Sequence, residues 1–129
     1  MMGDIPATRR AVQINGDGSI TVDEIPMPEL GPKEVVVKTD VSLISAGTET
    51  NGIKGRRKSP APDAAPRTSG YAAAGTIVAL GSEVTEFEVG QRIIGMAGEC
   101  YSHADYNVGQ PMVTVPIPDG VTWAQAAAA

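Results

Sequence analysis

Residues 41–50, VSLISAGTET, run from apolar strand-like sequence straight into a small polar turn. Val41, Leu43 and Ile44 call for burial, while Ser45, Thr48 and Glu49 bring two hydroxyls and a carboxylate to the rim of a bend around Gly47. Such groups bond a ligand or satisfy the turn's own backbone. Few other residues could do chemistry. His103 is the only histidine, and a lone histidine is more often a surface or packing residue than an acid or base. Cys100 is the only cysteine and belongs to no CxxC pair, so it reads as a buried or incidental thiol. A metal site built from Glu49, His103 and Cys100 has no support from spacing. A single cysteine allows neither a disulfide framework nor a four-cysteine zinc lobe, and points to a reducing, cytoplasmic setting.

The elements that must position these groups are short. With 129 residues the chain is about one domain long. At 42% hydrophobic and 19% charged it can build a core. Aromatic residues make up only 4%, so that core should consist of Val, Ile, Leu and Ala. Fifteen glycines and ten prolines suit strands joined by turns better than long helices. The net charge of −5 offers no basic face for nucleic acid. Glu24, Glu29, Glu83, Glu86 and Glu88 read as solvated surface. The opening MMGDIPATRR has no apolar core of a secretory leader. No apolar run approaches the roughly 20 residues that a membrane helix needs.

Ala11–Ile14 and Ser19–Ile25 flank NGDG, whose residues tolerate the positive φ of a tight hairpin turn. Pro26, Pro28 and Pro32 then break the ladder. KEVVVKTDVSLI is the clearest strand: Val35, Val37, Val41 and Leu43 share one face, and Val36, Lys38, Asp40 and Ser42 the other, which should meet water over most of its length. NGIKGRRKSPAPDAAPRT holds five of the ten basic residues and three prolines, and reads as a mobile loop over 54–67. Ala73–Leu80 is apolar on both faces and should be a central strand, with Gly75 marking the close approach of another backbone or a ligand. Val84, Phe87 and Val89 are the expected buried residues of the connection, and Gly90 turns into a strand over Arg92–Met96. CYSHADYNVG and PMVTVPIPDG supply two further short strands. In VTWAQAAAA, Thr122 and Gln125 form a capping-box signature. A helix of about two turns is marginal alone, so it is expected to continue and the chain to be a fragment.

PELGPKEVVVKTDVSLISAGTE, SGYAAAGTIVALGSEVTEFEVGQRIIGM, HADY and VPIPDGVTWAQAAAA together resemble the N-terminal catalytic domain of medium-chain dehydrogenases/reductases. The resemblance covers most of residues 9–129. It implies a mainly β, GroES-like, partly open barrel with short helices. It divides the chain into an N-terminal tail over 1–8, the GroES-like domain over 9–120 and the start of a helix over 121–129. That helix would lead to a Rossmann domain for NAD(P) that this chain lacks, since no Gly-x-Gly-x-x-Gly joins a strand to a helix here.

In zinc-dependent members of that superfamily a cysteine opens the turn that reads AGTE here, and a Gly-His-Glu motif matches GYA. Ala46, Tyr71 and Ala72 occupy those places, so the resemblance implies the zinc-lacking branch, with no metal site. Thr48 matches a Ser/Thr hydroxyl that relays a proton to substrate oxygen. With Ser45 it is a candidate to bond substrate or cofactor ribose, and the alternative for both is a turn residue bonding its own backbone. Tyr71 could donate a proton as charge develops on oxygen, or simply plug the space of the missing metal. Glu49 matches an acidic residue behind the metal, and capping of a short helix is its expected role here. Lys54–Lys58 would steer an anionic substrate or lie as a solvated loop.

The implied activity is that of the substrate-side domain of a zinc-independent NAD(P)(H)-dependent oxidoreductase acting on a small-molecule alcohol, carbonyl or enone. Ser45, Thr48 and Tyr71 form its polar wall. The isolated chain is expected to be inactive, the full enzyme to be a homodimer, and neither nucleic acid nor membrane to be a partner. The alternative is a non-catalytic GroES-like module for binding or oligomerisation.

Overall fold

The computed structural model describes residues 5–98 and 100–128. The residues of the expected tail before Ile5, the glutamate at position 99 and the final alanine of the helix reading lie outside them. Within them are eight strands: β1 (Thr8–Ile14), β2 (Ile20–Pro26), β3 (Val35–Ser42), β4 (Arg67–Thr68), β5 (Ala72–Leu80), β6 (Arg92–Met96), β7 (Tyr106–Gly109) and β8 (Thr114–Pro116). There are two helices, α1 (Ala46–Lys58) and α2 (Trp123–Ala127), and a 3₁₀ turn over Pro111–Val113. The strands form two open sheets, ordered β2-β1-β4 and β7-β3-β5-β6-β8. All pairings are antiparallel, and an isolated bridge between Ala11 and Ala104 links the sheets.

The hairpin forms where its turn residues place it. The Gly18 N–H donates to the Asn15 carbonyl, and the Asp17 carboxylate accepts from both the backbone and the hydroxyl of Ser19. Gly90 has φ +92° and leads directly into β6. At α2 the capping box is complete: Thr122 Oγ1 accepts from the Gln125 N–H, and the Gln125 side chain accepts from the Thr122 N–H.

β5 is central, as its two-sided apolar character requires, and Gly75 is where β3 crosses it most closely. A Cβ at Gly75 would lie 2.2 Å from the Lys38 carbonyl oxygen. Gly75→Ala therefore has to push two paired backbones apart, and should destabilise the domain by about 1–3 kcal/mol in urea unfolding.

Three expectations meet a different outcome. Val35, Val36 and Val37 are all fully buried, so β3 is not half-wet at its start. Val35 and Val37 pack in the main core with Ile77, Phe87, Ile93 and Tyr101. Val36 packs with Ala79 and Val108 on the opposite face, beneath Ile5, Met27 and Leu30. The proline-rich connector thus covers the face expected to be solvated, and it holds Ile5 of the expected tail there too. Register shifts at Val36/Val37 and Thr39/Val41 then break the strict alternation, and Val41 joins a third cluster with Ala74, Ile117 and α2. The second difference is α1. Lys54–Lys58, the first part of the expected mobile loop, extends the short helix expected after Glu49, and only the proline-rich part before Arg67 is irregular. The third is Val89, which stays exposed while Phe87 is buried and Val84 packs against the core.

Candidate active site

The polar turn after β3 is the first turn of α1. Ser45 is its N-cap residue by backbone conformation, but its hydroxyl makes no capping bond. The Glu49 carboxylate instead folds back on the helix start and accepts the backbone N–H of Ser45 itself. The sequence thus places an acid at the N-terminal end of α1 and Arg56, Arg57 and Lys58 in its last turn, as the helix dipole favours.

The same carboxylate reaches further. Glu49 Oε1 accepts from Ser69 Oγ at 3.0 Å and lies 2.6 Å from His103 Nε2. His103 Nδ1 lies 2.7 Å from Ser42 Oγ at the end of β3. Burial pushes the Glu49 carboxyl up, but the bonds from Ser45, His103 and Ser69 outweigh it and hold the group below its ordinary range. The backbone makes this meeting possible. The Ser69 N–H donates to the Val12 carbonyl, the Val12 N–H to the His103 carbonyl and the His103 N–H to the Ser69 carbonyl, which ties both segments to β1. Gly70, at φ +98°, turns the chain under the imidazole, where a Cβ would stand 2.8 Å from the ring.

Thr48 and Tyr71 line one cleft of about 440 Å³ between α1 and the start of β5, together with Glu49, Gly52, Arg67 and Ser69. Ser45 is not among its lining residues. On the other side of Glu49 a groove of about 390 Å³ is walled by Ile14, Ile20, Ile44 and Ile53, with Glu49, Ser42 and His103 at its polar edge. The basic stretch acts mainly as a brace. Arg56 donates to the carbonyls of Ile14 and Ala65, and Arg57 to that of Gly18. Arg67 contributes the guanidinium that lines the cleft.

Sequence reasoning missed the engagement of His103. The residue was expected on the surface or in packing, and it instead makes short hydrogen bonds to Glu49 and Ser42. Its partners lie 54 and 61 positions away, beyond any local pattern, and its being the sole histidine was the only available signal. Cys100 packs against the main core beside Tyr101, so the grouping of Glu49, His103 and Cys100 does not form. Among the described residues no three His, Cys, Asp or Glu side chains come together as metal ligands.

Two antiparallel sheets, a short helix opening at a hydroxyl-bearing turn and a cleft beside it define a GroES-like domain. The alcohol dehydrogenase GroES-like domain family matches residues 31–126, and the chain belongs to that family. The trans-enoyl reductase pyiC of Pyricularia grisea is 30% identical over 132 residues, which cover 96% of this chain and 34% of that protein. A quinone oxidoreductase of Pseudomonas syringae pv. Tomato DC3000 superposes with a TM-score of 0.72 at 28% identity, over 93% of this chain and 37% of that one. The 2-octenoyl-CoA carboxylase reductase CinF of a Streptomyces species, solved with NADP and 2-octenoyl-CoA, shares the fold, with a TM-score of 0.76 at 19% identity over 98% and 40% of the two chains. The chain spans about a third of the length of the curated relatives it matches.

Proposed function

We propose that this domain is the substrate-side wall of a hydride-transfer cleft in a zinc-independent NAD(P)(H)-dependent oxidoreductase acting on an alcohol, a carbonyl or a conjugated enone. The observation that carries this reading is that Thr48 and Tyr71, each bearing a hydroxyl, line the same cleft. Hydroxyls at that wall can bond a reacting oxygen and share its charge as hydride is added or removed. Ser45 acts indirectly, through the helix end that presents Thr48. The enoyl substrates named for pyiC and CinF favour a conjugated enone over a simple alcohol.

The donor set does not fit a catalytic zinc. Such a site takes about three protein ligands of Cys, His or carboxylate type. Ala46 offers a methyl group, and the Glu49 carboxylate is already occupied by Ser45, Ser69 and His103. The cleft wall fits the nicotinamide end of a dinucleotide, because hydroxyls line it. Among the described residues no glycine-rich turn cradles the phosphates, so a Rossmann domain outside this chain would hold most of the cofactor. When bound, that cofactor supplies or accepts the hydride. A cytoplasmic homodimer completes the proposal.

The test is turnover by the intact protein with NADH or NADPH and trans-2-hexenal, with metal content measured on the same sample. Thr48→Ala and Tyr71→Phe should each lower kcat about a hundredfold. One zinc per active site, or full activity in both variants, would end this reading.

A further inference from the structure

We propose that Arg67 anchors a carboxylate of the substrate, so that the cleft takes an enone or other carbonyl compound whose acid group lies one helical turn from its reacting oxygen. This rests on the hydride-transfer reading and adds to it the class of substrate.

The basic residues around α1 differ in what their donors do. Arg56 and Arg57 spend theirs on the carbonyls of Ile14, Ala65 and Gly18. Arg67, on β4, is exposed and lines the cleft with Thr48 and Tyr71. Among the described residues its guanidinium makes no side-chain hydrogen bond, and the ion pair found is that of His103 with Glu49. Glu49, the acid on the same wall, is already engaged by Ser45, Ser69 and His103. The Arg67 fork of N–H donors is therefore unspent.

α1 sets where that fork stands. Thr48 and Gly52 are four residues apart on the helix, so they share one face. A Cβ at Gly52 would lie 2.7 Å from Arg67 Nη2, and the atoms it would meet within 4 Å both belong to that guanidinium. Glycine inside a helix is less stable than alanine, and α1 buries no residue whose packing would call for one. The room that Gly52 leaves is filled by Arg67. The guanidinium thus rests against the helix one turn from Thr48, ~5 Å along the axis.

A planar guanidinium pairs with a carboxylate through two parallel N–H···O bonds. With the Thr48 and Tyr71 hydroxyls on the reacting oxygen and Arg67 on the acid, the compound is held at two points, which fixes its reacting carbon against the nicotinamide. In an extended 4-oxo-2-enoate the keto oxygen and the carboxylate stand at about the required separation. A dinucleotide phosphate offers the same kind of oxygen atoms, and the KM of the cofactor tells the two apart.

The experiment compares (E)-4-oxo-2-pentenoate with its methyl ester as substrates of the intact protein with NADH or NADPH, and reads the acid-to-ester ratio of kcat/KM. The unchanged protein should favour the acid. Arg67→Gln should lower the ratio about tenfold, mainly through KM for the acid. Arg67→Lys keeps the charge without the fork and should retain part of the preference. Gly52→Ala pushes the guanidinium aside, so the ratio should fall while resistance to urea unfolding rises, a combination that an arginine serving only the fold would not give. A preference for the ester in the unchanged protein overturns the anchor and leaves hydride transfer standing. So does a ratio within about twofold of the unchanged value in both Arg67→Gln and Gly52→Ala. A steady ratio with a raised KM for NAD(P)H assigns Arg67 to a cofactor phosphate and overturns the anchor as well. No turnover of acid, ester or trans-2-hexenal by the unchanged protein overturns it together with the reading beneath it.

Discussion

Tyr101→Ala should cost about 3–5 kcal/mol and lower the unfolding midpoint by about 10–20 °C. Tyr101 is among the largest fully buried side chains and packs with Val35, Val37, Ala73, Ile77, Phe87 and Ile93. Its side chain occupies space that Gly95 and Gly109 leave open, since a Cβ at Gly95 would stand 2.1 Å from the ring and one at Gly109 2.2 Å from the hydroxyl oxygen. Removing the ring leaves an aromatic-sized void between β6 and β7, where paired backbones cannot collapse inward. Two-state stability of an ordinary domain is about 5–15 kcal/mol, so the loss is a large share of the whole. Tyr101→Phe separates ring from hydroxyl. Thr114 Oγ1 donates to the Gln110 carbonyl at 2.7 Å, so Tyr101 must be the donor in its 2.5 Å bond to Thr114. Phe leaves Thr114 with that partner and should cost only about 1 kcal/mol. Burial pushes the Tyr101 phenol up to about 12, against the opposing pull of the Thr114 bond. Tyr101 should therefore be the last tyrosine to ionise in an absorbance titration. Equal losses in Ala and Phe variants, by urea unfolding, would show that packing is not what Tyr101 contributes.

What the sequence reveals follows the range of the interaction. Turns and caps are local, so Asn15–Gly18, Gly90 and the Thr122–Gln125 box are readable from neighbouring residues. The central place of β5 is readable because burial on both faces forces continuous apolar sequence. Tyr101 is not, because few aromatics in the composition says nothing about which of them anchor the core. The wet face assigned to β3 fails for a related reason: Ile5, Met27 and Leu30 return over Val36 through contacts that no periodicity records. α1 escapes because it buries no residue and carries Gly52 and Gly55 with a basic run. Its order comes from Glu49, Arg56 and Arg57 bonding distant groups, not from an apolar stripe. At the candidate site the turn and its hydroxyls are legible, while the pairing of Glu49 with His103 needs the three-way backbone tie among Val12, Ser69 and His103.

Glu49→Ala should destabilise the domain by about 3 kcal/mol near neutral pH, a large effect for one surface-helix residue. The change strands three donors together: the Ser45 N–H, the Ser69 hydroxyl and His103 Nε2. It also removes a side chain that ties the start of α1 to Ser69 and His103, so Thr48 loses its position and turnover should fall with stability. The pH dependence has a definite sign. The folded carboxyl titrates below its unfolded value of about 4.3, so its stabilisation is complete above that value and is lost as pH falls through the folded one. The stability gap between the unchanged protein and Glu49→Gln should therefore be full near neutrality and close on acidification below about pH 4. Gln keeps one acceptor oxygen but turns an amide N–H₂ toward donors, so it should fall between the unchanged protein and Ala. Urea unfolding of all three proteins across that range measures both effects. A gap that widens with acid, or an Ala variant within about 0.5 kcal/mol of the unchanged protein, would mean that the carboxylate does not hold α1 in place.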